Sequence, residues 1–178
     1  MQMKLSDLPI SIDTTTGEWK YAYINEVRGT KTDTLFERAK SWIVDSFKSA
    51  KTVIDYEDRA SGTLVAKPVI SVPVKPRGLL GISQEIYKVA IDIRVKEGRY
   101  RCELQILEGV PSDAERRISA SVANYSIQFT TQAYIKTIRK KGFLYIEQYN
   151  AITSLDDQFR KVLVAIDVVM STPSKSEF

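Results

Sequence analysis

Asp55, Glu57 and Asp58 crowd around Tyr56 in the run Val53-Ile54-Asp55-Tyr56-Glu57-Asp58. Alternate residues of an extended strand share a face, which would set Asp55 and Glu57 about 7 Å apart. Two carboxylates at that spacing suit a divalent cation, or a general acid facing a general base. A second constellation is cationic. Arg94, Lys96, Arg99 and Arg101 flank Glu97-Gly98, and in a hairpin closed there Arg94 opposes Arg101 and Lys96 opposes Arg99. Directly opposed like charges are destabilising, and an anionic partner would relieve them. Each constellation also has a plainer explanation. The carboxylates lack a third organising group and read equally as a solvated strand face beside a turn. The cations can be satisfied diagonally, Arg94 by Glu103 and Arg101 by Asp92.

Much chemistry is excluded by what is missing. The chain has no histidine, which removes imidazole bases, Ser-His and Cys-His nucleophiles and the commonest ligand for zinc, copper and iron. Cys102 is the single cysteine, so neither an internal disulfide nor a cysteine metal cage can form. The expectation is a protein that is not an enzyme, with no catalytic residues, no cofactor and no metal. The net charge of +4 arises from 26 basic and 22 acidic residues mixed along the chain. Asp92 and Glu103 interrupt the hairpin cations. Arg139-Lys140-Lys141 belongs to a separate expected helix end, where cations suit the helix dipole. Groove binding to DNA needs a continuous basic stripe with apolar wedges, so specific nucleic-acid recognition is not expected.

These residues must be positioned by elements that the spacing of apolar side chains defines. Leu35, Phe36, Ala39, Trp42, Ile43 and Phe47 recur at three- and four-residue steps within Thr32 to Phe47, forming one stripe on a helix, with Thr32 or Asp33 as the cap. A stripe with so many large side chains needs a broad apolar partner, and the flanking segments read as strands. Trp19, Tyr21 and Tyr23 alternate with Lys20, Ala22 and Ile24 in an expected strand over Glu18 to Val27. Thr52–Asp58 and Thr63–Ile70 form a hairpin across Arg59 to Gly62, with Pro68 marking an edge or a strand end. Residues 71–85 read as a long loop whose Leu79, Leu80 and Ile82 tuck against the body or offer a contact site. Tyr87 to Glu108 is a second hairpin. A two-residue turn at Glu97-Gly98 sets Val95 opposite Tyr100, Ile93 opposite Cys102, Ile91 opposite Leu104 and Val89 opposite Ile106. The pattern then turns helical. Residues 131–141 close on Gly142, and a helix from Leu155 to Met170 starts at a Ser154 cap with Asp156 and Asp157 in its first turn. Thr172-Pro173 stops it.

The order strand, helix, four strands, helices describes an α+β sandwich: an antiparallel sheet with helices packed on one face. At 178 residues the chain fits one domain, residues 1–178, with a core over 8–108 and a mostly helical part over 109–178. No apolar run approaches the roughly 20 residues that span a bilayer. MQMKLSDLPI lacks the charged start and apolar core of a signal peptide. The chain is then expected to be cytoplasmic or part of a virion, or else an exported protein whose signal has been removed.

Several spaced segments carry a resemblance. Leu8-Pro9 and Thr16-Gly17, Ala39-Lys40-Ser41-Trp42, Val53-Ile54-Asp55-Tyr56-Glu57-Asp58 with Gly62, and Val95-Lys96-Glu97-Gly98-Arg99-Tyr100-Arg101 occur in order. Over residues 8–108 the chain is similar to family 4468 among the domains of unknown function, a bacterial family described as having a TATA-box-binding-protein-like fold. The resemblance implies a β-α-β4-α layout, an origin in Bacteroidota, and export for many relatives. It implies no catalytic or binding residues. Together these readings point to a binding or assembly module whose expected partner is a protein, either another protein or a further copy of itself in an oligomer or larger assembly. Its candidate face is Arg94, Lys96, Arg99 and Arg101, and its candidate contact loop is Leu79, Leu80 and Ile82. The alternatives are a structural component of an envelope or phage-particle assembly, and a carrier of a small apolar ligand held between the sheet and the last helix.

Overall fold

Alternation and helical spacing become eight elements in the computed structural model, which describes residues 19–47, 53–74, 83–110 and 143–172. In chain order they are β1 (Lys20–Glu26), α1 (Thr32–Phe47), β2 (Ile54–Asp58), β3 (Thr63–Ala66), β4 (Val69–Val74), β5 (Ser83–Lys96), β6 (Arg99–Val110) and α2 (Phe143–Ser171). The strands make one sheet in the order β1-β6-β5-β3-β2, with β4 also on β5. It is antiparallel throughout the registered pairs β2–β3, β3–β5 and β4–β5. The Ile106 N–H donates to the Trp19 carbonyl at 3.3 Å and the Val27 N–H to Gly98 at 2.8 Å. These bonds tie the start of β1 to the far part of β6 and its end to the hairpin turn, so the two strands run antiparallel.

Five strands follow α1 where four were expected, because one line of chain is split. Ala66 lies opposite Ile91 and Val69 opposite Lys88, so β3 and β4 hold a single register along β5. The break falls at Lys67-Pro68. Proline has no N–H for a ladder, and the neighbouring Lys67 N–H turns to the Val53 carbonyl at 2.8 Å. The strand thus survives its proline and runs on to Val74, and β5 begins at Ser83, so residues 71–74 and 83–85 are strand rather than loop.

The chain divides into two compact units. The first comprises Met1–Tyr21, Val69–Val89 and Gln105–Phe159. Its described core is Trp19, Tyr21, Ile70, Val72, Tyr87, Val89, Ile106, Leu155 and Phe159, with the Phe159 ring edge-on to Tyr21 at 5.8 Å. The second comprises Ala22–Pro68, Ala90–Leu104 and Arg160–Phe178. There α1 buries Leu35, Phe36, Ala39, Trp42 and Ile43, the expected stripe, and lies against β3. Leu64, Ala66, Ile91, Ile93, Val95, Tyr100, Cys102 and Leu104 form the sheet side of that core. An Arg38 side-chain N–H donates to the Met170 carbonyl at 2.7 Å, setting a cation where the last turn of α2 is negative.

Both helix starts differ from the sequence reading. The Leu35 N–H donates to Lys31 O at 3.1 Å, so Lys31 stands at the cap of α1 and Asp33 lies inside the first turn. Helix α2 begins at Phe143, which resolves Phe143–Asn150 as helix and leaves Ser154 in its interior. Ser154 matched a capping signature, yet the stripe that it introduces continues a helix already under way. The expected helix at 131–141, Arg139-Lys140-Lys141 and the irregular residues 1–17 lie outside the described residues.

Two expectations test this packing. Trp42 is 6% exposed and stacks edge-on to Phe47 at 5.7 Å, so Trp42→Ala should cost about 3–5 kcal/mol in a urea melt. Gly29 and Gly62 both have φ near the left-handed region, +77° and +69°, but a Cβ at Gly29 meets nothing within 4 Å while one at Gly62 would sit 2.4 Å from the Val95 carbonyl oxygen. Gly29→Ala should cost roughly 1–2 kcal/mol for conformation alone. Gly62→Ala should cost clearly more, because backbone must move as well.

Candidate functional site

The cationic face is built by the alternation of β5 and β6. Ile91, Ile93 and Val95 with Tyr100, Cys102 and Leu104 turn inward and are buried, which sends Asp92, Arg94, Lys96, Arg99, Arg101 and Glu103 to the opposite face. Gly98 closes the hairpin at φ +69°. Its N–H donates to Thr30 O at 3.0 Å and its carbonyl accepts from Val27, so the tip is clamped to the connection between β1 and α1.

All four predicted cations therefore share one face, but the charge pairing differs from the diagonal pattern. Arg94 donates to Asp92 through Nε at 3.1 Å and through a terminal nitrogen at 3.0 Å. Arg101 pairs with Glu103. Each pair runs along its own strand, two residues apart, a separation that a long arginine side chain spans readily. Donation to Asp92, aided by the charge of that carboxylate, holds the Arg94 guanidinium still more firmly protonated. Lys96 and Arg99 are exposed, and neither has an ion-pair partner among the described residues. Behind this face, burial pushes the Cys102 thiol up to about 12, leaving it an inert core group.

The acidic cluster disperses. Glu57 pairs with Lys40 of α1 at 2.7 Å, and Asp55 pairs with Lys67 at 2.8 Å. Between Ile54 and Tyr56 the register of β2 shifts, so the strict alternation that placed Asp55 and Glu57 on one face is broken at Asp55. Asp58 serves the turn, its carboxylate accepting from Ala60 N–H at 3.0 Å and Ser61 N–H at 3.3 Å. Hydrogen bonding from Ser61, first by side chain and then by backbone, holds this exposed carboxyl below its usual range. Three carboxylates thus have three separate structural partners. Among the described residues no group of three or more His, Cys, Asp or Glu is placed to hold a metal ion.

Sequence reading missed a polar line along α2. In the first unit the Tyr21 hydroxyl donates to buried Asp156 at 2.7 Å. In the second, the Tyr100 hydroxyl donates to Asp167 Oδ1 at 2.6 Å and the Asn25 amide donates to the same oxygen. Tyr23 lies within 3.3 Å of both the Tyr100 hydroxyl and the Leu163 carbonyl, to which it donates. The available signal was the spacing of Asp156 and Asp167, three helical turns apart beside an apolar stripe. A helix starting at Ser154 would make Asp156 a first-turn charge, whereas in a helix under way from Phe143 it is an interior group. Leu79, Leu80 and Ile82 lie outside the described residues.

This geometry can be set beside known proteins. Residues 21–108 match the family model described as "Domain of unknown function (DUF4468) with TBP-like fold". Residues 21–108 are a DUF4468 domain. A DUF4468 family protein from Bacteroides ovatus superposes with a TM-score of 0.65 at 12% identity, covering 94% of this chain and 93% of that one. A TBP-like protein from Parabacteroides distasonis gives the same TM-score at 11% identity, covering 93% and 99%. At such identities the likeness is one of fold. No curated protein matches the chain. The DUF4468 match takes in β1 to β6 as far as residue 108, and so includes all four hairpin cations. No helix among the described residues is long and apolar enough to cross a membrane.

The tyrosine network predicts an alkaline limit. Burial first, then the bond to Asp167, pushes the Tyr100 hydroxyl from 10.0 up to about 12, and burial likewise raises Tyr23. A folded pKa above the unfolded value adds stability that is complete below pH 10 and is lost as pH rises toward 12. Urea midpoints should fall across that window in the native protein and fall less steeply in Tyr100→Phe. Identical alkaline limbs would show that Tyr100 does not titrate with unfolding.

Proposed function

We propose that this chain is a non-enzymatic binding module whose open sheet face receives an acidic segment of a partner protein. The observation that carries this reading is the pair Lys96 and Arg99, two exposed cations at the hairpin tip with no counter-ion among the described residues. Beside them, Arg94 and Arg101 are held in place by Asp92 and Glu103. The paired arginines order the face and the unpaired cations supply its attraction. The same geometry argues against nucleic acid, since Asp92 and Glu103 stand within the basic surface and would face phosphates. The absence of histidine, the inert Cys102 thiol and the structural carboxylates support a role without catalysis. A component of a larger bacterial assembly would use this surface in the same way.

The test is a Lys96→Gln/Arg99→Gln variant measured against an oligo-glutamate peptide by fluorescence anisotropy. No ion pair among the described residues is lost, so the thermal midpoint should hold or rise slightly as like charges leave the tip. Peptide affinity should drop at least about fivefold at low salt, and the native protein's salt dependence should flatten in the variant. Equal affinity in both proteins would remove the cationic face from consideration. Tighter binding of duplex DNA than of the peptide would count against a protein partner.

A further inference from the structure

On β1 the side chains of Tyr23 and Asn25 serve α2. Tyr23 lies within 3.3 Å of the Tyr100 hydroxyl, and Asn25 shares Asp167 Oδ1 with Tyr100. Ile24 stands between them, so alternation turns it to the opposite face. On the neighbouring strand β6, Arg99 and Arg101 flank Tyr100 and turn to that same face. Ile24 is 68% exposed, more than any other large apolar residue described. Ala22, also exposed, adjoins it on the same side of the strand. An apolar shelf therefore borders the cations. Nearby acids are engaged: Glu26 with Arg28, Asp92 with Arg94 and Glu103 with Arg101. Glu97 is exposed in the turn itself, and Lys96 and Arg99 have no ion-pair partner among the described residues.

We infer that the acidic segment received by this face carries a large apolar residue, which seats on Ile24 while neighbouring carboxylates meet Arg99 and Lys96. The inference rests on the cationic face proposed above and names what that face selects. Carboxylates alone make a weak ligand here. An ion pair in open water gains little, since both groups give up solvation and salt screens them. An apolar side chain laid on Ile24 contributes on its own account, because it removes hydrocarbon from water. It also shelters the methylene stems of Arg99 and Arg101, whose charged heads stay wet. With less water beside them, the ion pairs to Arg99 and Lys96 strengthen. Arg101 is already held by Glu103, so it borders the shelf without drawing the partner's charge away from the tip. Charge sets where the segment lands, and Ile24 decides which acidic segments stay.

Fluorescence anisotropy on the full chain with two probes tests it: oligo-glutamate, and the same peptide with one central leucine. The native protein should bind the leucine peptide about three- to tenfold more tightly, as burial of part of one apolar side chain provides. That ratio should persist at high salt, where both affinities fall, because apolar burial is not screened. Ile24→Thr keeps a β-branched residue on the strand and replaces its ethyl group by a hydroxyl. It should bring the ratio to within about twofold of unity and leave oligo-glutamate affinity unchanged. Ile24→Leu should keep the preference. Equal affinity of the native protein for the two peptides overturns the inference, as does a leucine preference that Ile24→Thr leaves intact. Either result, with oligo-glutamate binding still weakened by Lys96→Gln/Arg99→Gln, leaves the cationic face standing. Affinities for both peptides unmoved by that double variant would instead remove the face itself, and this inference with it.

Discussion

Every second residue from Val89 to Val95 and from Tyr100 to Ile106 is apolar or nearly so, and all of them are buried. That surface must leave water, and it lies on one side of the hairpin only. A strand pair with one greasy face and one charged face can be satisfied by covering a single side. In the second unit the cover is α1, whose Leu35, Phe36, Ala39, Trp42 and Ile43 meet the sheet through a continuous stripe. The rest follows from this asymmetry. Arg94, Lys96, Arg99 and Arg101 share a face because the residues between them are needed inside. The surface proposed to bind is thus the remainder left by the demands of the core.

A helix laid on an apolar sheet by dispersion and hydrophobic burial alone would slide at little cost, since neither contribution is directional. Here the sheet and α2 are joined by oriented groups. Asp156 receives Tyr21, and Asp167 receives Tyr100 and Asn25. A buried carboxylate left without its donors is expensive, so a shift along the helix axis would break bonds that nothing nearby replaces. These aspartates are better understood as fixing position than as chemistry. The same holds for Asp55, Glu57 and Asp58, which are divided among Lys67, Lys40 and a turn.

Local pattern sufficed for much of the protein. The extent of α1, its buried stripe, the turn at Glu97-Gly98 and the inward residues of both hairpin strands could be read directly, because periodicity and turn chemistry act over a few neighbouring residues. The four cations on one face followed from the same alternation. The ordered likeness to DUF4468 and its β-α-β-rich layout were legible too, since each segment carried its own signature. Where the sequence misled, a local signal was present but overruled. Ser154 looks like a cap and sits inside a helix, and Pro68 looks like a strand end and merely interrupts a line that β5 holds in register.

Tertiary structure alone decided which partner each charge takes. Arg94 had Asp92 and Glu103 within its notional reach, and the folded hairpin assigned it Asp92 on its own strand. Glu57 met Lys40, seventeen residues away, only because α1 is folded onto β3 beside it. The role of Asp167 and the places of β1 and β2 at the two ends of the strand order likewise depend on which segments meet, which no local window contains. Apolar burial is set by the residue itself and its immediate period. Ion pairing, edges and exposed surfaces depend on which distant segments arrive beside it, and the sequence carries that information only through the whole fold.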